Sequence, residues 1–462
     1  MNSRSDPTIR SDDGLWPTIK GTERAFLVGV GSSEVDEHGW PVDESLTELR
    51  QLAATAGAQV SGAISQRIRE PHPRTFIGSG KLEELKQRRI DENIDLFVFD
   101  EELTPSQARN LEKELEVKVI DRTGLVLDIF GQRARTYEGR VQVQLAQYEY
   151  LLPRLAGQWT HLERQEGGIG ARGGPGETQL EIDRRKIRSK IADLKNELER
   201  VRRSRALHRE RREQQSIAVV SLVGYTNAGK STLLNALSNA DVLAEDKLFA
   251  TLDPTTRRVR LPSGRQVLFT DTVGFIQKLP TSVVAAFRAT LEELESADLL
   301  IHVLDISHSD YVAQVAEVDM ILDSLGLTEK PVISALNKID HLVDEWPPNG
   351  DLPEPLQTAI DERDNAVPIA AGRKWGLDDL LETVDQILAG ELEPIVADLP
   401  YDSGRLLNLW RTKGVIEKEE YRAEGIRITG RVPATLRAAL ERFRVRDRNT
   451  RAARPKTGSH ST

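Results

Sequence analysis

An octapeptide framed by glycines, Gly224 to Ser231 (GYTNAGKS), stands between the apolar run IAVVSLV and the amphipathic stretch STLLNALSN. No other feature of the 462 residues constrains the fold as strongly. The spacing G-x-x-x-x-G-K-[ST] requires a strand that stops abruptly, a loop whose backbone N–H groups converge, and a helix that begins at the same point. Such a unit belongs to an open α/β sheet, in which ligands gather at the carboxyl ends of the strands. The loop amides and the helix N-terminus would hold phosphates. Lys230 would neutralise the β and γ oxygens, and Ser231 would ligate Mg²⁺. A second glycine stretch, IGSGK at Ile77 to Lys81, lacks both the spacing and the hydroxyl, and reads as a turn.

From Ile217 to about Leu388, strands and helices alternate, and each strand ends on a polar motif. The strands are IAVVSLVG, QVLFTDTVG, LLIHVLD, PVISALNKID and AVPIAA; helices include STLLNALSN, SVVAAFRATLEELE and LDDLLETVDQILA. At one strand end is DTVG, with Asp271 placed to hold Mg²⁺ through water and the Gly274 N–H to meet a γ-phosphate. At another is NKID, whose Asp340 carboxylate suits the two N–H donors of guanine, a pair that adenine lacks. Taken in this order, the motifs resemble those of the translation-factor-like GTPases, and that resemblance implies GTP with Mg²⁺. It places the cradle at Gly224, Tyr225, Thr226, Asn227, Ala228, Gly229, Lys230, Ser231 and Thr232. It places a switch segment at Phe249, Ala250, Thr251, Leu252 and Asp253, then the groups Asp271, Thr272, Val273, Gly274 and Asn337, Lys338, Ile339, Asp340. A switch threonine joins Ser231 on the metal. Thr251, Thr255 and Thr256 compete for that place, and Thr251 is favoured by its position in the motif. Lys230, Thr251 and Gly274 are the expected catalytic residues. The fifth motif is PIAAGRKWG, where Ala370 stands at the usual serine and Ala371 follows, so only backbone contacts to the base are expected. Asn227 stands where potassium-activated relatives use an asparagine, which adds K⁺ as a possible cofactor. Phe275 follows Gly274 where Ras-like enzymes carry a water-orienting glutamine. A phenyl ring makes no such hydrogen bond, so it is either a core residue, a sign that something else orients water, or both.

Upstream, Ala25 to about Asp121 alternates strands (AFLVGV, DLFVFD, VKVID) with helices (SLTELRQLAATAGA, TPSQARNLEKELE). The second helix is opened by Thr104 as N-cap and Pro105 at its first position. Then the period changes. Val141, Leu145, Tyr148, Leu152 and Leu155 form one heptad seam, and Ile187, Ile191, Leu194, Leu198 and Val201 another. Between them lies EGGIGARGGPGE, too rich in glycine for a helix. Two antiparallel helices joined by a glycine tip follow, with a kink or break at Pro153. From Arg184 to Arg212 there are thirteen Lys/Arg against four Asp/Glu, in a chain of net charge −10. RNA phosphates would match that face, although a solvated coiled coil has the same composition. At the tip, Pro175, Gly176 and Glu177 would bring backbone close to RNA, and Arg172 would stack on it or pair with it.

Cysteine is absent, which excludes disulfides and thiolate metal sites and suits a reducing cytoplasm. No apolar run is long enough for a membrane span. Both termini read as polar tails. The expected organisation is α/β: a tail (1–24), an N-terminal α/β domain (25–137), a helical hairpin (138–215), a GTPase domain (216–390), a small C-terminal α+β unit (391–443) and a basic tail (444–462).

The run DRTGLVLDIFGQRARTYEGRVQVQLAQYEYLLPRL, the tip ending GPGETQLEIDRR, the cradle GYTNAGKST and the switch pair TLDPTTR and DTVGFI together resemble HflX-type GTPases. The likeness spans roughly Ala25 to Leu388. One departure is the tip, where Gly173 and Gly174 both precede Pro175, one glycine more than the family pattern. The resemblance implies a cytoplasmic, partly ribosome-associated monomer that binds the large ribosomal subunit and its RNA, acting in translation, ribosome splitting or ribosome biogenesis. The rival expectation is a non-ribosomal regulatory GTPase whose hairpin binds a protein.

Overall fold

Three sheets follow one another along the chain. The computed structural model describes residues 23–31, 41–155, 175–215, 217–238, 248–249, 251–252, 254–278, 294–347, 352–390 and 392–445. The hairpin tip with Arg172, Gly173 and Gly174, both termini, Ala250, Asp253 and most of the stretch SVVAAFRATLEELE lie outside the described residues.

The first sheet contains β1 (Arg24–Gly31), β2 (Gln59–Arg67), β3 (Leu96–Phe99) and β4 (Lys118–Asp121). All pairings are parallel, in the order β2-β1-β3-β4. The connecting helices are α1 (Val42–Thr55), α2 (Ser79–Glu92) and α3 (Pro105–Leu115), and α4 (Arg122–Arg133) follows β4. The α3 start is as expected: Thr104 and Gln107 form a reciprocal capping box, with Pro105 in the first turn. Gly78 caps α2, so IGSGK opens a helix. The apolar period identifies neither β2, with its half-exposed edge pattern, nor α2, with its charged surface. Helix α1 begins at Val42 and ends at Thr55, which leaves the expected AGA segment outside it.

Helices α5 (Tyr137–Arg154) and α6 (Pro175–Gln215) form the hairpin. Val141, Leu145, Tyr148, Leu194 and Leu198 are buried in one seam, with Ile187 and Ile191 partly buried against it. Leu152, Leu155 and Val201 are not part of that buried seam. Pro153 lies inside α5, one residue before its last residue, Arg154, although proline lacks the N–H for the helical ladder. The expected tip loop reaches Glu177, whereas α6 already starts at Pro175. Proline at a first helical position has its φ preset for the helix and needs no N–H partner, which absorbs Gly176 and Glu177 into the first turn.

The second sheet has β5 (Val219–Val223), followed by α7 (Lys230–Ser238), then β6 (Thr255–Arg260), β7 (Gln266–Asp271) and β8 (Leu299–Asp305). After these come α8 (Tyr311–Ser324), β9 (Val332–Asn337), α9 (Glu354–Glu362), β10 (Ala366–Pro368) and α10 (Leu377–Gly390). The order is β10-β9-β8-β5-β7-β6, parallel except for the edge strand β6. The last unit holds β11 (Glu393–Leu399), α11 (Gly404–Lys413), β12 (Val415–Arg422), β13 (Gly425–Val432) and α12 (Ala434–Leu440). Its antiparallel sheet, β11-β13-β12, covers the fully buried Trp410.

The first and second sheets share a core. Leu248, Phe249, Leu252, Val273 and Ile276 are buried together with Leu46, Leu49, Val126 and Phe130 of the N-terminal layer and Val143 of α5. Phe130 and Phe249 meet edge to face, with ring centroids 4.6 Å apart.

Leu194 is only 2 % exposed. Leu194→Ala should therefore cost the hairpin about 2–5 kcal/mol. Amide hydrogen exchange should accelerate along α5 and α6 and stay unchanged in β5 and β8.

Candidate nucleotide site

The cradle forms because β5 is the central strand and ends at Val223 against β8, which forces the chain to turn at once into α7. Gly229 has φ +96°, and a Cβ there would lie 2.3 Å from Asn337 Nδ2. No other residue type satisfies both the turn and that approach. Lys230 is buried and donates to the carbonyls of Gly224 (3.0 Å) and Tyr225 (2.7 Å). Burial pulls its ammonium pKa down to about 8, against the Asp271 carboxylate, which favours the charge. A buried cation satisfied chiefly by neutral carbonyls is suited to receive an anion.

Ser231 Oγ lies 2.7 Å from Thr251 Oγ1 and donates to Asp271 Oδ2 at 2.6 Å. Asp271 Oδ1 is buried with no hydrogen-bond partner among the described residues. Burial raises the Asp271 carboxyl pKa, while Lys230 and the hydrogen bonds from Ser231 and Thr251 lower it, and the rise prevails. Three hard oxygen donors around an orphaned carboxylate oxygen fit a Mg²⁺ ion bound through few protein ligands. Of the competing threonines, only Thr251 reaches this group. Thr255 and Thr256 lie in β6, where Thr256 bonds to Thr270 across the strands.

Gly274 closes the far side. A Cβ on it would lie 2.8 Å from Thr226 Cα and 3.0 Å from Lys230 Nζ. Two backbone bonds stitch the next residue to the cradle: Thr226 N–H to Phe275 O (2.7 Å) and Phe275 N–H to Gly224 O (3.1 Å). The Phe275 ring is buried with Val223, Tyr225, Leu294 and Leu300, so in this structure it is a core residue.

Asn337, also buried, ties the motifs together. Its Nδ2 donates to Ala228 O at 2.8 Å, and its Oδ1 accepts from Ala371 N at 3.0 Å. Ala370 is fully buried and its backbone bridges to Trp375, forming a small loop. Asp340 projects from the short turn Ile339–His341 and pairs with Arg373 at 3.2 Å. Lys338, at φ +66°, reaches Asp305 at 2.6 Å. Thr272 donates to Leu222 O (2.6 Å), and Thr232 follows Ser231 in the first turn of α7. The side chains of Phe249, Leu252 and Val273 turn away into the shared core, and Ile339 is fully buried.

Sequence reasoning missed the residues that bind this site to the N-terminal layer. Tyr225 Oη donates to Glu48 of α1 and accepts from Gln277 N–H at 2.7 Å. Arg122, 1 % exposed, pairs with Glu48 (2.5 Å) and Asp100 (2.7 Å) and donates to Gln277 O (3.1 Å). Lys278 pairs with Asp100 (2.9 Å) and Glu101 (2.5 Å). A cavity of about 220 Å³ lies beside this seam, bordered by Glu44, Glu48, Thr226, Asn227, Asp305 and Asp310. The one available sequence signal was Tyr225 itself, a large polar aromatic inside a loop otherwise made of small residues.

Three family models match successive stretches of the chain: "GTP-binding GTPase N-terminal" over residues 43–131, "GTP-binding GTPase Middle Region" over 133–212, and "50S ribosome-binding GTPase" over 219–338. Among curated relatives, GTPase HflX of Caldanaerobacter subterraneus subsp. tengcongensis is 47% identical, across 93% of this chain and 96% of its own length. GTPase HflX of Alkalihalophilus pseudofirmus is 44% identical, across 86% and 90%. GTPase HflX of Escherichia coli (strain K12) is 43% identical, across 83% and 88%. Identity of this degree extends through the N-terminal layer and hairpin as well as the nucleotide cradle, and the chain belongs to the HflX family of GTPases.

Proposed function

We propose that this GTPase is a Mg²⁺-dependent switch that acts on the large ribosomal subunit. The observation that carries the reading is the meeting of Lys230, Ser231, Thr251, Asp271 and Gly274 around one point, with Asn337 fixing the base-side loops to the cradle. Loop amides and Lys230 hold the phosphates, and Ser231 and Thr251 are the protein ligands for the ion, with Asp271 behind them. When bound there, Mg²⁺ would supply positive charge to offset that of the transferred phosphoryl group. Gly274 N–H, next to Lys230, meets the γ-phosphate. Asp340 accepts from the guanine ring N–H and amino group, which requires release of Arg373. With Phe275 buried, no side chain follows Gly274 to orient the attacking water, so intrinsic hydrolysis is slow and a docked partner completes the site.

That partner is ribosomal RNA. The family model over residues 219–338 carries a ribosome-binding name, and the basic helix α6 matches a polyphosphate surface. The work done there, ribosome splitting, rescue or biogenesis, is the output of the same switch.

Three outcomes follow. Asp340→Asn should weaken GTP binding by roughly 1.5–3 kcal/mol for each charge-assisted hydrogen bond lost. It should also favour xanthosine triphosphate, and unchanged GTP affinity in a folded variant would remove the guanine assignment. Intrinsic turnover should be faster in K⁺ than in matched Na⁺ if Asn227, held at φ +62°, helps to seat a monovalent ion; equal rates refute that role. In sucrose gradients, the protein with a non-hydrolysable GTP analogue should travel with large subunits, and with GDP it should stay near the top. Co-sedimentation with neither nucleotide, alongside nuclease-resistant protein complexes, would favour a protein-binding hairpin instead.

A further inference from the structure

Three arginines on one edge strand stand apart from the rest of the GTPase domain. Arg257, Arg258 and Arg260 of β6 are all exposed. Among the described residues, none of the three has a carboxylate within ion-pairing distance. The other described arginines between Val219 and Leu388 are all paired: Arg265 with Asp385, Arg363 with Asp319, and Arg373 with Asp340. In a chain of net charge −10, with 73 acidic residues available, such an unneutralised row is not the average surface. It also lies where a partner has room. β6 is the edge of its sheet, so its outer side has no neighbouring strand among the described residues. Alternation along the strand puts Arg258 and Arg260 on one face and Arg257 on the other, so the charge wraps the edge.

The position adds a second argument. Arg258 is paired with Leu268 of β7, and Leu268 N–H donates to Ala218 O at 2.9 Å. Ala218 follows closely on Gln215, the last residue of the basic helix α6. The base of the hairpin therefore enters the sheet one strand away from Arg258. At the other end of β6, Thr255 is in register with Asp271, and Thr251 lies four residues earlier beside Ser231.

We propose that the β6 edge is a contact for ribosomal RNA phosphates, distinct from the hairpin tip and continuous with its base. Guanidinium groups suit this role because their planar forks pair with phosphate oxygens in two-point contacts. The edge lies directly downstream of the switch segment, so RNA docked on Arg257, Arg258 and Arg260 also restrains the chain that carries Thr251. This assignment rests on the ribosome reading above, and the test separates the two.

Purified large subunits are titrated against wild-type protein bound to a non-hydrolysable GTP analogue, and against the variant Arg257→Gln/Arg258→Gln/Arg260→Gln, across a range of salt concentrations. The wild type should bind with a steep inverse salt dependence. The triple variant should bind on the order of tenfold more weakly at moderate salt, with a log–log slope shallower by about two to three. Intrinsic GTP turnover without subunits should be unchanged, since none of the three side chains touches the nucleotide residues. Should the triple variant unfold, each single Gln variant should still reduce the slope by about one. Wild-type protein that fails to bind subunits at all would remove the ribosome reading itself. Wild-type binding with an identical slope and affinity in the variants would overturn the β6 assignment alone. Weaker binding of the variant to subunits, with unchanged binding to protein-free large-subunit RNA, would show that β6 meets a ribosomal protein, and would also overturn it.

Discussion

Arg122 is the residue on which the two α/β layers depend. It sits at the start of α4, immediately after the last strand of the first sheet, and is almost wholly buried. Its guanidinium uses its fork on Asp100, Glu48, Ser45 and the Gln277 carbonyl at once. Burial opposes its charge, but Asp100 and Glu48 hold the proton more tightly than in an ordinary arginine. Burial likewise opposes the Asp100 carboxylate, yet Arg122 and Lys278 bring its pKa down to about 2. Removing any member would strand a buried charge, whose cost exceeds what the pairs contribute when intact. The network therefore contributes geometry more than net stability.

That geometry is centred on the peptide of Gln277. Its N–H goes to Tyr225 Oη and its C=O accepts from Arg122 Nη1. Tyr225 belongs to the cradle, Arg122 and Glu48 belong to the N-terminal layer, and Gln277 follows three residues after Gly274. A shift of Gly274 toward or away from a γ-phosphate must therefore pull on this ring of bonds, and also on Ile276 in the shared apolar core. The threonine segment is held in the same way by Phe249 against Phe130. Packed cores respond to such pulls by stepping between arrangements rather than by stretching.

The nucleotide residues themselves are unusually polar for their depth. Lys230, Asp271, Asn337 and Thr272 are all almost fully buried, and Asp271 Oδ1 and Thr226 Oγ1 lack partners among the described residues. Orphaned buried oxygens next to a depressed lysine make sense only where charge from outside completes them. Phe275 has the opposite property. Its ring is satisfied by apolar neighbours, and its backbone closes onto Gly224 and Thr226. The site thus combines buried polar atoms that lack partners among the described residues with an apolar ring directly after Gly274.

The cradle, the strand ends carrying Asp271 and Asn337, and the capped start of α3 were legible in the sequence. Each depends on local rules: glycine at positive φ, a hydroxyl after lysine, proline at a first helical position. The hairpin seam was legible from Val141 to Tyr148 and from Ile187 to Leu198, because heptad spacing is also local. Its tip side was not, since Pro153 falls inside α5 and Pro175 to Glu177 are helical instead of belonging to the glycine loop. Strand β2 and helix α2 escaped notice because an edge strand and a charged helix bury too little to show a clean pattern. Motif position favoured Thr251 over Thr255 and Thr256, and the tertiary structure brings its hydroxyl to Ser231 across twenty residues of chain. Nor could any pattern reveal that Arg122, Glu48, Tyr225 and Gln277 close one ring. Side-chain hydrogen bonding over separations of 74 to 177 residues leaves no periodic trace, because it is decided by where two independently specified sheets come to rest against each other.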